Sequence, residues 1–168
     1  YLDEVSNEAE AVGAVNTIEI RNRKIIGHNT DVFGFEQSFL KIVGTRKNGI
    51  ILGNGGASKA AQYVLKKNDI SFLVASRNSN FTIQQIDKNI LSKYNIIINA
   101  TPLGMYPNTN KFPDLSYHLI NSKHLLFDLV YNPEETLFLS KGKTNGAAIK
   151  NGIEMLHLQA EESWKIWN

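Results

Sequence analysis

The sequence predicts an α/β fold with a doubly wound parallel sheet, in which helices cover both faces of the strands. From Asn48 onward, short apolar segments alternate with segments of helical pattern. These short segments are apolar throughout, as expected for strands that are buried on both faces of a parallel sheet. A glycine-dense turn at residues 53–56 joins the first of them directly to a helix, which is a common connection in this fold class.

The composition excludes several classes of protein and site. Of the 168 residues, 42% are hydrophobic and 20% are charged, as is usual for a globular domain. A net charge of +2 with scattered basic residues argues against a nucleic-acid or membrane surface. The absence of cysteine excludes disulfides and thiol chemistry, and it suggests a cytoplasmic location. The four histidines lack the spacing of metal ligands, so no metal site is expected.

The first part of the chain predicts a β-hairpin followed by a helix. Residues 12–20 and 24–28 alternate apolar and polar side chains around a polar turn at residues 21–23. The cap sequence Asn29-Thr30-Asp31 then precedes a helical pattern that extends to Val43, and Gly44 ends the helix.

The remaining segments are predicted to form the parallel sheet and its helices. Strands are predicted at residues 49–52, 71–75, 95–99, 125–130 and 147–149. Helices are predicted at residues 57–67, 82–91 and 151–167. A further helix is predicted to begin at Pro133, with Asn132 as its cap.

The glycine-dense turn is a candidate phosphate site, formed by Gly53, Asn54, Gly55, Gly56 and Ala57. Glycines let the backbone approach a diphosphate closely, and the N-terminus of the next helix offers free N–H groups and positive dipole charge. A turn of this kind also occurs without a ligand, so it does not identify a site by itself.

The end of the second strand of the sheet indicates which dinucleotide would fit. An acidic residue there pairs with the ribose of NAD, whereas a basic residue accommodates the 2′-phosphate of NADP. The strand ends in Ser76, Arg77 and Asn78, and no acidic residue occurs between residues 70 and 86. We therefore predict NADP as the cofactor, the alternative being that Arg77 is only a solvated residue after a strand.

Four further polar positions are candidates for ligand contact. Asp31 suits either a first-turn helix acid or a carboxylate that orients a substrate hydroxyl. Gln159 lies on an apolar helix face, where its amide needs partners from the protein or from a ligand. Asn16 within a strand pattern suits a local turn or a ligand contact. Thr101 precedes Pro102 where the third strand must end, at the edge of the sheet where ligands bind.

Six motifs together resemble the shikimate dehydrogenase family, and they occur in the family's order. They are Gly13-Ala14-Val15-Asn16-Thr17-Ile18, Gly27-His28-Asn29-Thr30-Asp31 with Gly34-Phe35, Gly53-x-Gly55-Gly56-Ala57-Ser58, Asn99-Ala100-Thr101-Pro102-Leu103-Gly104-Met105, Asp128-Leu129-Val130-Tyr131-x-Pro133-x-x-Thr136 and Gly152-x-x-Met155-Leu156-x-x-Gln159-Ala160. The resemblance implies a Rossmann-like NADP-binding domain and the reduction of 3-dehydroshikimate to shikimate, on the pathway to chorismate and aromatic amino acids.

The resemblance also implies roles for individual residues. Asp31 is implied to be catalytic, as one half of a Lys–Asp pair at the reacting hydroxyl. The implied substrate contacts are Asn16, Asp31, Tyr131 and Gln159. The implied cofactor contacts are Gly53, Asn54, Gly55, Gly56, Ala57, Ser76, Arg77, Asn78, Thr101, Leu129, Gly152 and Met155. Asn54 departs from the alanine that is usual in the family.

The resemblance divides the chain and leaves part of the family's site unmatched. Residues 1–30 would be a remnant of a substrate domain, residues 31–45 a connecting helix, residues 46–150 the NADP domain and residues 151–168 a helix returning to the substrate domain. Because the catalytic lysine of the family has no counterpart here, we expect NADP binding but hardly any turnover by this chain alone. Uncovered sheet edges should favour self-association. The alternatives are an NAD-preferring quinate/shikimate dehydrogenase and a non-catalytic nucleotide-binding module.

Overall fold

The computed structural model describes all residues from Tyr1 to Asn168, and it contains two sheets. The strands of the smaller sheet are β1 (Glu4–Val5), β2 (Thr17–Arg21) and β3 (Lys24–His28). Those of the larger sheet are β4 (Asn48–Leu52), β5 (Ser71–Ala75), β6 (Ile96–Asn99), β7 (Leu125–Asp128) and β8 (Ala148–Lys150). The helices are α1 (Asn7–Val12), α2 (Asp31–Leu40), α3 (Gly56–Lys67), α4 (Lys88–Lys93), α5 (Leu137–Thr144) and α6 (Ile153–Trp167). None of these helices is long and apolar enough to cross a membrane.

The larger sheet is entirely parallel, with strand order β5-β4-β6-β7-β8. The predicted doubly wound sheet is therefore confirmed. The strand order reverses direction at β4, because β5 lies on one side of it and β6 on the other. In open α/β sheets such a reversal opens a crevice at the carboxyl ends of the strands, where ligands bind.

A separate apolar core lies on each face of the larger sheet. On one face, Phe35 and Phe39 of α2 stack with ring centroids 5.0 Å apart, and Phe127 of β7 meets Phe35 edge-on at 5.3 Å. On the other face, Phe138 of α5 and Leu91 of α4 are fully buried against the strands. Strands that are apolar on both faces are thus buried by helices from both sides.

The hairpin is confirmed, although its first strand begins later than predicted. Thr17 of β2 pairs with His28 of β3 in an antiparallel register. Residues 12–16 do not belong to the strand, because Gly13 ends α1 in the left-handed conformation, with φ +66°. The outer edge of β2 has no neighbouring strand, and Ile20 on it is 78% exposed.

Two predicted helices differ from the observed ones because side-chain caps set their ends. In place of one helix at residues 82–91, a short 3₁₀ turn precedes α4, which begins where Asp87 accepts a hydrogen bond from the Ile90 N–H at 2.9 Å. The helix predicted to start at Pro133 instead begins at Leu137, with Thr136 as its cap.

Helices α2 and α6 pack against each other in antiparallel directions and come close at Gly34. A Cβ atom added to Gly34 would lie 2.6 Å from the Met155 carbonyl oxygen and 3.0 Å from the Gln159 backbone nitrogen. At the other end of the pair, Glu154 accepts a hydrogen bond from Ser38 at 3.4 Å and pairs with Lys41 at 2.5 Å. The backbones of the two helices are therefore nearly in contact. Helix α2 ends at Leu40, three residues before the predicted end at Val43.

Candidate functional site

A cleft with a volume of about 530 Å³ lies where the strand order reverses, at the carboxyl ends of β4, β5 and β6. Seven of the twelve residues predicted to contact a cofactor lie on its wall or border it. The lining residues are Gly53, Asn54, Gly55, Ala75, Ser76, Arg77, Asn78, Ile83, Ala100, Thr101, Pro102 and Leu103. The fold thus brings together residues that the sequence places on three separate strand ends.

The glycines of the turn serve two different purposes. Gly53 has φ +103°, and an added Cβ would lie 2.9 Å from the Ala100 carbonyl oxygen, so glycine is required there by the protein's own packing. A Cβ added to Gly55 or Gly56 would meet no atom within 4 Å, and neither residue has a positive φ. Packing within the protein therefore does not require glycine at these two positions, which leave open space instead.

The N-terminus of α3 is uncapped at this turn. Gly55 provides no capping side chain, and the N–H groups of Gly56, Ala57 and Ser58 donate no hydrogen bond within the chain. The first turn of α3 also carries no acidic residue. Free N–H donors and the positive end of a helix dipole are suited to an anion. The Ser58 hydroxyl is buried and donates to the Gly53 carbonyl oxygen at 2.7 Å, which fixes the turn from inside.

Arg77 is the one charged residue that lines the cleft. It follows β5, it is exposed, and it forms no ion pair with any carboxylate of the chain. Ser76 and Asn78 flank it on the same wall. An unpaired guanidinium with neighbouring hydrogen-bond donors can bind a phosphate through two parallel hydrogen bonds.

A buried polar network that the sequence analysis missed supports the ends of β6 and β7. The Asp128 carboxylate accepts hydrogen bonds from the Asn99 amide at 2.9 Å, the Val130 N–H at 3.0 Å and the Thr136 hydroxyl at 2.5 Å. The Asn99 oxygen accepts from the Thr101 hydroxyl at 2.6 Å. The network fixes the starts of the loops that follow β6 and β7, and the loop after β6 lines the cleft. The signal in the sequence was the polar residue that ends each of two otherwise apolar strands.

The buried carboxyl of Asp128 should make the folding free energy depend on pH. Burial raises its pKa from 3.8 to about 6, although three hydrogen bonds oppose the shift. The carboxyl binds its proton more tightly in the folded chain than in the unfolded chain, so protonation stabilises the fold at low pH. This stabilisation is lost as the pH rises through the folded-state pKa. Between about pH 4.5 and about pH 7.5 the loss should be about 2 kcal/mol.

Urea denaturation at several pH values measures this dependence, with Asp128→Asn as the comparison. The variant lacks the titrating carboxyl, so its stability relative to the wild type should rise with pH across the same interval. Parallel pH profiles for the two proteins would contradict the assignment to Asp128.

A second polar cluster joins the hairpin, α2 and α6. The Asn16 side chain accepts a hydrogen bond from the Thr30 N–H at 2.8 Å and donates to the Thr30 hydroxyl at 3.2 Å. The Thr30 hydroxyl in turn lies 3.3 Å from the amide oxygen of Gln159, to which it can donate. Two of the predicted substrate contacts, Asn16 and Gln159, thus meet around Thr30, which the sequence analysis treated only as part of a cap.

Asp31 lies beside this cluster as the first residue of α2. Burial raises the pKa of its carboxyl, and the neighbouring Asn16 amide partly offsets the shift. Asp31 forms no ion pair with any lysine of the chain. Tyr131 is exposed on the loop after β7 and makes no hydrogen bond to Asn16, Asp31 or Gln159 in the chain.

The remaining predicted cofactor contacts lie where β7 meets the start of α6. A Cβ added to Gly152 would lie 2.3 Å from the Leu129 carbonyl oxygen, so glycine lets these two backbones touch. Met155 is 6% exposed and packs in the core between α2 and the sheet. The structure therefore brings Leu129 and Gly152 together, and it places Met155 behind them.

Proteins with assigned names are similar to this chain over nearly its whole length. The chain is 37% identical to a shikimate dehydrogenase (NADP(+)) of Methanococcus aeolicus, over 99% of this chain and 66% of that protein. It is 35% identical to the shikimate dehydrogenase (NADP(+)) of Shouchella clausii, over 99% of this chain and 67% of that protein. The chain thus spans about two thirds of the length of the relatives it matches. No protein-family model matches it.

Solved structures share the fold over the same extent. A shikimate dehydrogenase in complex with NADP+ matches with a TM-score of 0.88 and 35% identity, over 100% of this chain and 66% of that chain. A quinate dehydrogenase from Corynebacterium glutamicum in complex with NAD matches with a TM-score of 0.86 and 26% identity, over 98% of this chain and 66% of that chain. Together with the site described above, these likenesses show that the chain belongs to the shikimate dehydrogenase family.

Proposed function

We propose that the protein catalyses the NADP-dependent reduction of 3-dehydroshikimate to shikimate, a step toward chorismate and aromatic amino acids. Residues 1–168 would supply the cofactor cleft and part of the substrate site. The observation that carries the proposal is a cleft that is lined by one charged residue, Arg77, and by Gly55 at the uncapped N-terminus of a helix. Such a cleft offers one set of donors to a diphosphate and a guanidinium to a further phosphate.

The cofactor contacts follow from this arrangement. The turn at residues 53–57 holds the diphosphate, and the 2′-phosphate binds Arg77 between Ser76 and Asn78. Thr101, Leu129, Gly152 and Met155 form or support the end of the cleft toward the nicotinamide. When bound, NADPH supplies the hydride.

The polar cluster around Thr30 would bind the ring substrate. Its hydroxyl and carboxyl groups would pair with Asn16 and Gln159 of the cluster and with Tyr131 of the loop after β7. Asp31 would orient the reacting hydroxyl. Burial raises the pKa of Asp31, which disfavours the charged form of its carboxyl. A cation beside it would lower that pKa and hold the carboxylate charged. The lysine that the family resemblance implies would have that role and would transfer the proton.

The organisation of the protein is proposed on the same basis. Residues 1–30 belong with a substrate domain, residues 31–45 connect it to the NADP domain at 46–150, and residues 151–168 return to it. The unpaired edge of β2 and its exposed isoleucines favour self-association of this chain. The absence of cysteine agrees with a cytoplasmic location.

A second candidate function is that of an NAD-preferring quinate/shikimate dehydrogenase. The likeness to a quinate dehydrogenase in complex with NAD favours it. Arg77 argues against it, because a ribose that carries free hydroxyls pairs best with an acidic residue at this position, and the cleft has none. A non-catalytic nucleotide-binding module would bind NADP equally well but would not bind shikimate.

Replacing Arg77 by glutamine should weaken NADP binding about 10- to 100-fold and leave NAD binding unchanged. The guanidinium contacts only the 2′-phosphate, and at this exposed position the whole interaction should contribute about 1.5–3 kcal/mol, as for one charge-assisted hydrogen bond. Isothermal titration calorimetry of the wild type and the variant with both dinucleotides measures the difference.

Arg23→Gln is the matched control, because Arg23 is an exposed arginine in the hairpin turn, outside the cleft. It should bind both dinucleotides like the wild type. Equal wild-type affinity for NAD and NADP would favour the quinate/shikimate alternative, and failure to bind either would exclude the cleft as a dinucleotide site.

A further inference from the structure

Three buried hydroxyl groups lie between the hairpin and α6. The hydroxyl on α6 has no part in the substrate or cofactor contacts proposed above. The three groups belong to Thr17, Thr30 and Ser163, which are at most 5% exposed. The Ser163 oxygen lies 2.8 Å from the Thr17 hydroxyl and 3.0 Å from the Thr30 hydroxyl. A serine near the end of the chain thus joins two threonines of the hairpin region.

Each hydroxyl has one proton to donate, and this restricts how the cluster pairs. Ser163 donates its proton to the Gln159 carbonyl oxygen, one turn earlier in α6, at 2.9 Å. Its oxygen can therefore accept from Thr30 and from Thr17, although the Thr17 proton can also go to the Asn16 amide oxygen at 3.3 Å. The Thr30 hydroxyl accepts a hydrogen bond from the Asn16 amide at 3.2 Å. Its own proton is closest to Ser163 at 3.0 Å, and it can also reach the Gln159 amide oxygen at 3.3 Å, the Thr17 hydroxyl at 3.3 Å and the Asn16 amide oxygen at 3.4 Å. The Asn16 oxygen already accepts the Thr30 N–H at 2.8 Å, whereas the Gln159 oxygen accepts no other hydrogen bond in the chain.

Ser163 and the Gln159 amide thus compete for a single proton. When Ser163 accepts it, the amide oxygen of Gln159 is free to accept a hydrogen bond from a ligand hydroxyl. If Ser163 offered no acceptor, the Thr30 proton would go to Gln159 and occupy that oxygen. Because the three hydroxyls are buried, water does not replace the missing acceptor at Thr30, and the Gln159 oxygen, which has no other partner in the chain, is the expected one to take the proton.

We propose that Ser163 is a positioning residue for substrate, which accepts the Thr30 proton and so keeps the Gln159 amide available. The proposal deepens the proposed function and rests on it, since Gln159 is taken there as a substrate contact. Ser163 itself does not touch the substrate. Its hydroxyl acts through Thr30, and it also ties α6 to the hairpin through Thr17.

The proton exchange can be tested without substrate by NMR of the 168-residue chain. In Ser163→Ala, the ¹³Cδ signal of Gln159 should shift downfield, because the side-chain carbonyl gains a hydrogen bond from Thr30. Ser163→Thr, which keeps a hydroxyl, should restore the wild-type position. Ser92→Ala is the control, because Ser92 also donates to a helix carbonyl but is exposed on α4. An unchanged Gln159 signal in Ser163→Ala would overturn the proposal.

Shikimate affinity provides the second measurement, made by NMR titration at saturating NADP. Ser163→Ala should raise the shikimate dissociation constant about fivefold, the equivalent of one hydrogen bond, and leave NADP affinity unchanged. In a Gln159→Leu background the same substitution should have no further effect. Equal effects in both backgrounds would show a merely structural role and contradict the proposal. If the wild type binds NADP but no shikimate, the proposed substrate fails, whereas the Gln159 signal still decides the role of Ser163.

Discussion

Replacing Gly34 by alanine should lower the free energy of unfolding by about 2 kcal/mol, because the added methyl group has no room between α2 and α6. The added methyl would lie 2.6 Å from the Met155 carbonyl oxygen, and a backbone atom cannot rotate away as a side chain can. Overpacking costs about 1–3 kcal/mol, and here the upper end applies because α2 and α6 must separate. The better helix propensity of alanine returns at most about 1 kcal/mol.

Gly56→Ala is the matched control, since it is the same substitution in another helix. A Cβ at Gly56 meets no atom within 4 Å, so its stability should be unchanged or up to about 1 kcal/mol higher. Urea denaturation monitored by circular dichroism compares the two variants. Equal stability of Gly34→Ala and Gly56→Ala would show that the α2–α6 contact is not close enough to require glycine.

Replacing Gly55 by aspartate should reduce NADP affinity at least about 100-fold while leaving the protein as stable as before, or more stable. Aspartate is a favoured N-cap, and its carboxylate would accept hydrogen bonds from the free N–H groups at the start of α3. In the proposed complex the diphosphate needs those same donors. A fixed negative charge at this place both occupies them and repels the ligand, which costs several kcal/mol.

Gly55→Asn separates the two parts of this effect, because asparagine caps equally well but carries no charge. Its affinity for NADP should lie between those of the wild type and Gly55→Asp. Thermal melting and calorimetric titration of the three proteins provide the data. If Gly55→Asp bound NADP like the wild type, the diphosphate would not lie at the turn.

The larger sheet could be predicted from the sequence because its signals are local. Segments such as residues 96–98 are apolar on both faces, and a strand buried on both sides leaves that pattern whatever surrounds it. Helix starts were less predictable where they depend on the fold. Thr136 rather than Asn132 caps α5, and the Thr136 hydroxyl also donates to Asp128, a partner that becomes adjacent only after β7 is in place.

The same distinction applies to the candidate site. Arg77 and the glycine turn were identified individually, because each lies directly after a strand and has a chemistry of its own. The roles of Thr30 and Ser163 were not found, since their contact spans 133 residues of sequence and serine on a helix has no distinctive pattern. Asn16 and Gln159 were singled out as polar residues in apolar surroundings, yet only the fold shows that they share Thr30 as a partner.

The antiparallel packing of α2 and α6 has a mechanical consequence. The chain leaves the smaller sheet through α2 and returns to it through α6, whose Trp167 donates a hydrogen bond to the Ile18 carbonyl oxygen at 2.9 Å. Two parts of a protein that are joined by a pair of adjacent helices can rotate about the axis of the pair, but the pair resists twisting and sliding. The cluster of Thr30 and Ser163 lies along that axis. Its hydrogen bonds join α2 and α6 to the hairpin, so we expect these three elements to stay together as one unit when the hairpin moves relative to the larger sheet.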